Sequence, residues 1–197
     1  WQNSKFFWSC SKYEKGGYKL IQEFIENPYL VHNRIVVFRI YLVIYANQEY
    51  KYGVHKYGKC LYTNKDFNLE SLDNLRLITD SKLNLDEKYP KNLEQLNKYD
   101  SKVSMELLIK PVNTVVGCFK NYLKKIDDVF EHKHLTFFQL FGVDIMLDSN
   151  YNPVLLEINK SPDMNNIYDE DDRKGKMEVI SDMKEFISGN NKNFTII

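Results

Sequence analysis

The stretch Phe137 to Asn165, FFQLFGVDIMLDSNYNPVLLEINKSPDMN, constrains this chain more than any other. It holds two apolar runs, Leu140–Leu147 and Val154–Ile158, separated by the polar turn DSNYNP. Runs of this length and composition, bounded by Asp, Asn and Pro, predict two adjacent strands of a hairpin, and the turn carries residue types that close one. With the turn centred between Asn150 and Tyr151, Asp144 falls opposite Glu157, and opposed residues share a face. Asn159, two residues beyond Glu157, points the same way. Three oxygen-bearing side chains therefore converge on one face of two otherwise apolar strands. Burying two carboxylates together is costly unless a cation compensates them. Mg²⁺ is suited to the task, because it takes one or two carboxylates together with substrate phosphates and water. The plainer alternative is a solvent-facing polar stripe on an edge hairpin. Against it, Asp144 interrupts a run that otherwise reads as buried on both faces.

Upstream, Leu30 to Asn47 is dense in β-branched and aromatic residues. Val36–Tyr45 is the predicted central strand, and Arg39 is its one charge. A buried guanidinium needs a partner, and its fork suits carboxylate or phosphate. Tyr18 to Tyr29 reads as a short strand running into a loop, with a helical turn fitting nearly as well. Glu49 to Thr63, broken by Gly53 and Gly58, reads as a further hairpin with an exposed His55. Asn64 to Pro90 reads as loop. Between Asn92 and Glu131 the spacing is helical. Ser104 is a candidate cap and Pro111 a break or kink, followed by a stripe of Val115, Val116, Phe119, Tyr122, Leu123, Ile126 and Phe130. The pair His132 and His134 lacks a third metal ligand and reads as a solvated helix end. The acidic segment Tyr168 to Arg173 predicts a helix start. Met177, Ile180, Met183, Phe186 and Ile187 give that helix an apolar face, Gly189 ends it, and a frayed tail follows.

The chain has 197 residues, 43% of them hydrophobic, enough for one sizeable core or two small lobes. Lys and Arg number 27 and so do Asp and Glu, a balance unlike the basic footprint of a nucleic-acid binder. No run reaches the roughly 20 apolar residues of a membrane span. Cys10, Cys60 and Cys118 fit neither a zinc site nor a disulfide framework and read as free thiols in a reducing compartment. Trp1 in place of Met suggests a fragment, with residues 1–18 as the remnant of an upstream lobe or a linker. Residues 19–197 then form the main domain.

Four blocks in order resemble the tubulin–tyrosine ligase-like family of ATP-grasp ligases. They are IQEFIENPYLVHNR, VVFRIYLVI, LYTNKDFNLESLDNLRLITDSKLN and FGVDIMLDSNYNPVLLEINKSPDM. The resemblance implies an α+β fold of ATP-grasp type, with a mixed or antiparallel sheet flanked by helices. It also implies an ATP- and Mg²⁺-dependent ligase that joins a free amino acid to a protein carboxylate through an acyl phosphate. The acceptor would be tubulin or a similar acidic tail, in the cytoplasm and at the cytoskeleton, with no nucleic acid or membrane involved. Carried over by position, Gln22 and the backbone of Glu23 and Ile25 receive adenine. Thr79 and Asp80 sit near the nucleotide, and Arg39, the catalytic residue, faces phosphate or the acyl-phosphate intermediate. Asp144, Glu157 and Asn159 hold Mg²⁺.

The chain also departs from the family pattern. Ile35 and Val37 stand where the family has a Lys and an Asp. Leu61 stands in place of a second arginine, with Lys59 the nearest substitute, and Asp80 replaces a neutral amide. These positions keep open the alternative of a non-catalytic nucleotide-binding or scaffold module.

Overall fold

The computed structural model describes residues 24–47, 49–70, 73, 79–80, 86–130, 136–165 and 169–197. Its frame is a sheet of seven strands: β1 (Leu30–Val31), β2 (Arg34–Asn47), β3 (Glu49–Thr63), β4 (Thr79–Asp80), β5 (Thr136–Leu147), β6 (Pro153–Asn159) and β7 (Phe194–Ile196). The order is β4-β3-β2-β5-β6, with β1 on β2 and β7 on β3. Every pairing between these strands is antiparallel. Among the described residues three helices complete an α+β architecture: α1 (Leu93–Tyr99), α2 (Met105–Phe130) and α3 (Glu170–Ile187).

The predicted central strand is central. Its β-branched and aromatic residues are buried on both faces because β3 and β5 flank it and helices cover it. Val36, Phe38, Ile40, Leu42 and Ile44 join Leu96, Leu108, Val112 and Val116 of α1 and α2 in the main core. On the opposite face Val43 and Tyr45 lie with Phe186 and Phe194. Ile35, Val37, Leu61 and Met146 form a separate apolar cluster. Arg39 lies between these two groups.

β1 and β2 are joined by His32 and Asn33, both at positive φ (47° and 66°). That is the signature of a two-residue primed turn, whose twist suits a tight hairpin.

Several expectations are corrected. Glu49 to Thr63 is one continuous strand, not a hairpin. Gly53 and Gly58 lie inside it because side chains press on them. A Cβ at Gly53 would stand 2.7 Å from the Phe186 ring, and one at Gly58 2.5 Å from Leu93. His55 is fully buried, and the tail returns as β7 on β3. α2 starts at Ser104, whose hydroxyl accepts from Leu107 N, and runs through Pro111 unbroken. Leu108, Val112 and Val116, all buried, seat the helix on the sheet to either side of the proline. Tyr122, expected in the apolar stripe, is 61% exposed.

α3 begins at Asp169, which accepts from the N–H groups of Asp171 and Asp172. Its buried face is Asp172, Gly175, Lys176, Val179 and Phe186, which leaves Met177 in solvent. Gly189 terminates the segment at φ +98°. Cys60 and Cys118 are free thiols, the first buried and the second exposed. Residues 1–23, including Cys10, and the pair His132 and His134 lie outside the described residues. No helix among the described residues is long and apolar enough to cross a membrane.

Candidate active site

Asp144 pairs in register with Glu157 as expected, although the turn is centred on Asn150, with Leu147 opposite Pro153, and not between Asn150 and Tyr151. The register reaches that pairing by an additional step. Near the turn Ile145 pairs with Leu155, and a bulge then restores Asp144 opposite Glu157. Leu156, the extra residue, packs against the cluster of Ile35, Val37, Leu61 and Met146. The turn itself is fixed by Asp148, whose carboxylate accepts from Asn150 N, Asn152 N and Asn152 Nδ2, each at 2.8 Å.

The row of opposed residues continues across the sheet. Lys59 of β3 faces Arg39 of β2, Arg39 faces Asp144 of β5, and Asp144 faces Glu157 of β6. Four charged side chains from four strands thus share one face. Arg39 closes its fork on Asp144, with Nε donating to Oδ1 at 2.8 Å and Nη2 to Oδ2 at 2.6 Å. Both side chains are shielded, 17% and 8% exposed. The Asp144 hydrogen bonds hold the Arg39 guanidinium charged even more firmly than usual, against the opposing effect of burial. Asn159 Nδ2 donates to Glu157 Oε1 at 2.7 Å, which sets the amide beside the carboxylate. Gly142, next to Asp144 on this face, admits the following loop. A Cβ there would be 2.9 Å from Pro162 and 3.6 Å from Arg39 Nε.

Sequence reasoning missed how the other end of the row is held. Lys59 Nζ reaches Asp172 of α3 at 2.8 Å, and Lys176 Nζ meets the same Asp172 oxygen at 3.0 Å. Lys176 also donates to the carbonyl of Asn165 at 2.7 Å, tying down the loop that leaves β6. All three charges are buried or nearly so. Tyr41, the next residue of β2 on this face, is fully buried and stacks on Tyr57 with centroids 6.1 Å apart. Among the described residues its hydroxyl and Asp172 Oδ1 have no hydrogen-bond partner. Burial pushes the Tyr41 hydroxyl well above the usual phenol range. The available sequence signal was the four-residue step from Asp172 to Lys176, which puts both on one side of a helix.

Of the other predicted site residues, Ile25 is half-buried and packs on the cluster of Ile35, Val37 and Leu61. Thr79 and Asp80 pair with Thr63 and Tyr62. That places them at the opposite edge of the sheet from Glu157, four strand spacings or roughly 19 Å away. Gln22 and Glu23 lie outside the described residues. Ile35, Val37 and Leu61 are brought together with Met146, all buried, on the face that carries Arg39 and Asp144.

The donor set fits a hard cation. Among the described residues no three His, Cys, Asp or Glu side chains gather as a metal site. Two carboxylates and an amide oxygen from one hairpin nevertheless match what Mg²⁺ takes from protein when phosphates and water supply the rest.

An antiparallel sheet carrying a charged row between helices is the frame on which the sequence relationships fall. The Tubulin-tyrosine ligase family profile matches residues 8–193, and the chain belongs to that family. It is similar to Tubulin glycylase 3B of Drosophila melanogaster, 27% identical over 165 residues, covering 74% of this chain and 21% of the relative. It is also similar to Probable tubulin polyglutamylase TTLL9 of Mus musculus, 27% identical over 153 residues, covering 73% of this chain and 33% of the relative. A third relative is Probable alpha-tubulin polyglutamylase Ttll1 of Tetrahymena thermophila, 25% identical over 186 residues, covering 85% and 43%. The chain therefore spans between about a fifth and two fifths of the length of these relatives.

Proposed function

We propose that this chain is the metal- and nucleotide-binding part of an ATP-dependent ligase of ATP-grasp type that joins a free amino acid to a carboxylate of a protein, tubulin or a similar acidic tail. The observation that carries the reading is the row Arg39–Asp144–Glu157, with Asn159 beside it. Names of the relatives, all tubulin-modifying ligases, support the substrate class.

In this reading Asp144, Glu157 and Asn159 hold Mg²⁺. The bound ion supplies charge neutralisation at the nucleotide phosphates. ATP transfers its terminal phosphoryl group to the acceptor carboxylate, giving an acyl phosphate and ADP. The amine of the free amino acid attacks the acyl carbon and loses a proton, phosphate departs, and an amide bond remains. Arg39 stands where it can balance negative charge on the acyl phosphate. Pro162 over Gly142, and Lys176 on the Asn165 carbonyl, fix the loop leaving β6 and so the position of Asn159. Ile25 contributes apolar surface for adenine, with Gln22, the backbone of Glu23, Thr79 and Asp80 completing the nucleotide site. The site of action is cytoplasmic, at the cytoskeleton.

A second reading, a nucleotide-binding or scaffold module without turnover, draws on one observation. The positions where the family pattern carries charge, Ile35, Val37 and Leu61, close into a buried apolar cluster.

Asp144→Ala and Glu157→Ala are expected to abolish the Mg²⁺-dependent rise in melting temperature that ATP produces. Unchanged stabilisation in both variants removes the metal assignment. The two readings are separated by incubating the protein with ATP, labelled amino acids and tubulin. Labelled tubulin supports the ligase, and nucleotide binding without transfer to any acidic peptide supports the module.

A further inference from the structure

One carboxylate, Asp144, is assigned two partners. It is a cation ligand in the reading above, and in the structure both its oxygens are occupied by Arg39. We propose that a divalent cation and Arg39 compete for Asp144, so that the cation converts Arg39 from half of an internal ion pair into an anion-binding group. This inference rests on the metal assignment above.

Shielding makes the competition matter. The Arg39–Asp144 contact is bidentate and largely removed from water, the arrangement in which such pairs are strongest. A cation drawing on the same oxygens weakens those bonds or replaces them. Few groups could then satisfy Arg39. Asp144 forks on Arg39 and Glu157 stands one strand beyond it, and both are donors for the cation. The next carboxylate on this face, Asp172, already balances two lysines, Lys59 and Lys176, through its Oδ2. Although Lys59 stands directly opposite Arg39, its amine is turned to α3, so it does not offer Asp144 a substitute partner.

The charge balance gives the direction. Lys59, Arg39, Asp144 and Glu157 carry two positive and two negative charges and balance. Adding a divalent cation makes the row +2. Before the cation binds, Arg39 is neutralised by Asp144 and offers phosphate little. Once it has bound, the row attracts phosphate, and the freed guanidinium fork matches phosphate geometry. Binding is therefore ordered, with the cation arriving before the anion or together with it. Linkage requires that each strengthen the other.

The test is a Mn²⁺ titration of the chain without nucleotide, read as loss of the free-ion electron paramagnetic resonance signal. Wild type is compared with Arg39→Lys, Arg39→Gln and Asp144→Asn. Arg39→Lys keeps the charge and loses the fork, so it separates competition for the oxygens from simple repulsion. Competition predicts that Arg39→Gln binds Mn²⁺ on the order of tenfold more tightly than wild type, that Arg39→Lys falls between them, and that Asp144→Asn binds weakly. Thermal melts keep the result interpretable: Arg39→Gln should melt below wild type without metal and gain more from Mn²⁺. If Arg39→Lys binds like wild type, or both arginine variants bind no more tightly than wild type, the inference fails while the metal site stands. If no variant and not even the wild type depletes free Mn²⁺, the metal assignment fails and takes this inference with it.

Discussion

His55 shows how far a single residue can depart from what its neighbours in sequence suggest. An isolated histidine between Val54 and Lys56 reads as exposed, yet its ring is fully buried. Nδ1 accepts from Tyr57 N at 3.0 Å, and Nε2 lies 2.9 Å from Asp182 Oδ2. Asp182 also accepts from Asn193 at 2.7 Å. Because Nδ1 is already an acceptor, the ring is neutral and Nε2 is the donor. Burial lowers its pKa, outweighing the opposing pull of Asp182. The stability His55 contributes is therefore present above its ordinary pKa of about 6.5 and is lost as pH falls below that value towards the folded pKa. Urea denaturation of the wild type should show this acid-side loss, and His55→Gln should flatten it. The signal was absent from the sequence because Asp182 and Asn193 lie 127 and 138 residues away. By contrast, the pairing of Asp144 with Glu157 was legible from the two apolar runs of the hairpin, although the bulge at Leu156 that secures it was not.

At the scale of elements, two helical glycines make opposite predictions. Gly175 of α3 faces the Tyr57 ring, and a Cβ there would stand 2.1 Å from it. Gly175→Ala should destabilise by about 1–3 kcal/mol, because α3 must lift from the sheet. Gly117 of α2 has nothing within 4 Å of the same position. Gly117→Ala should stabilise by about 0.5–1 kcal/mol through helix propensity. Urea denaturation of the two variants measures both signs. Strands with strong composition, β2, β5 and β6, were read correctly from the sequence. β3 was split at its glycines because the rule that glycine marks turns takes no account of the side chains that need the space. α3 was placed correctly, and Phe186, Met183 and Ile187 pack as expected, but Met177 is exposed and buried Asp172 and Lys176 occupy core-facing positions that hydrophobic spacing cannot recognise.

For the whole molecule, the sheet and its central charged row followed from local patterns, while its closure at the edges did not. The tail read as frayed because three residues carry little strand signal. Phe194 nevertheless sits between Phe186, at 4.6 Å between ring centroids, and His55, at 5.0 Å. Phe194→Ala should cost about 3–5 kcal/mol, seen as a fall in melting temperature. Ile35, Val37 and Leu61 were visible one by one as departures from the family pattern. Only the fold shows that they meet, because they come from two strands joined across a register shift.

The separation between Arg39 and Asp144, 105 residues along the chain, also has a consequence during synthesis. β2 and β3 can form their hairpin early, but β2's other edge waits for β5. At ordinary elongation rates of about 5–20 residues per second, that edge stays open for roughly 5–20 s. Through that interval a long, apolar strand, charged only at Arg34 and Arg39, offers unpaired backbone to any neighbouring chain.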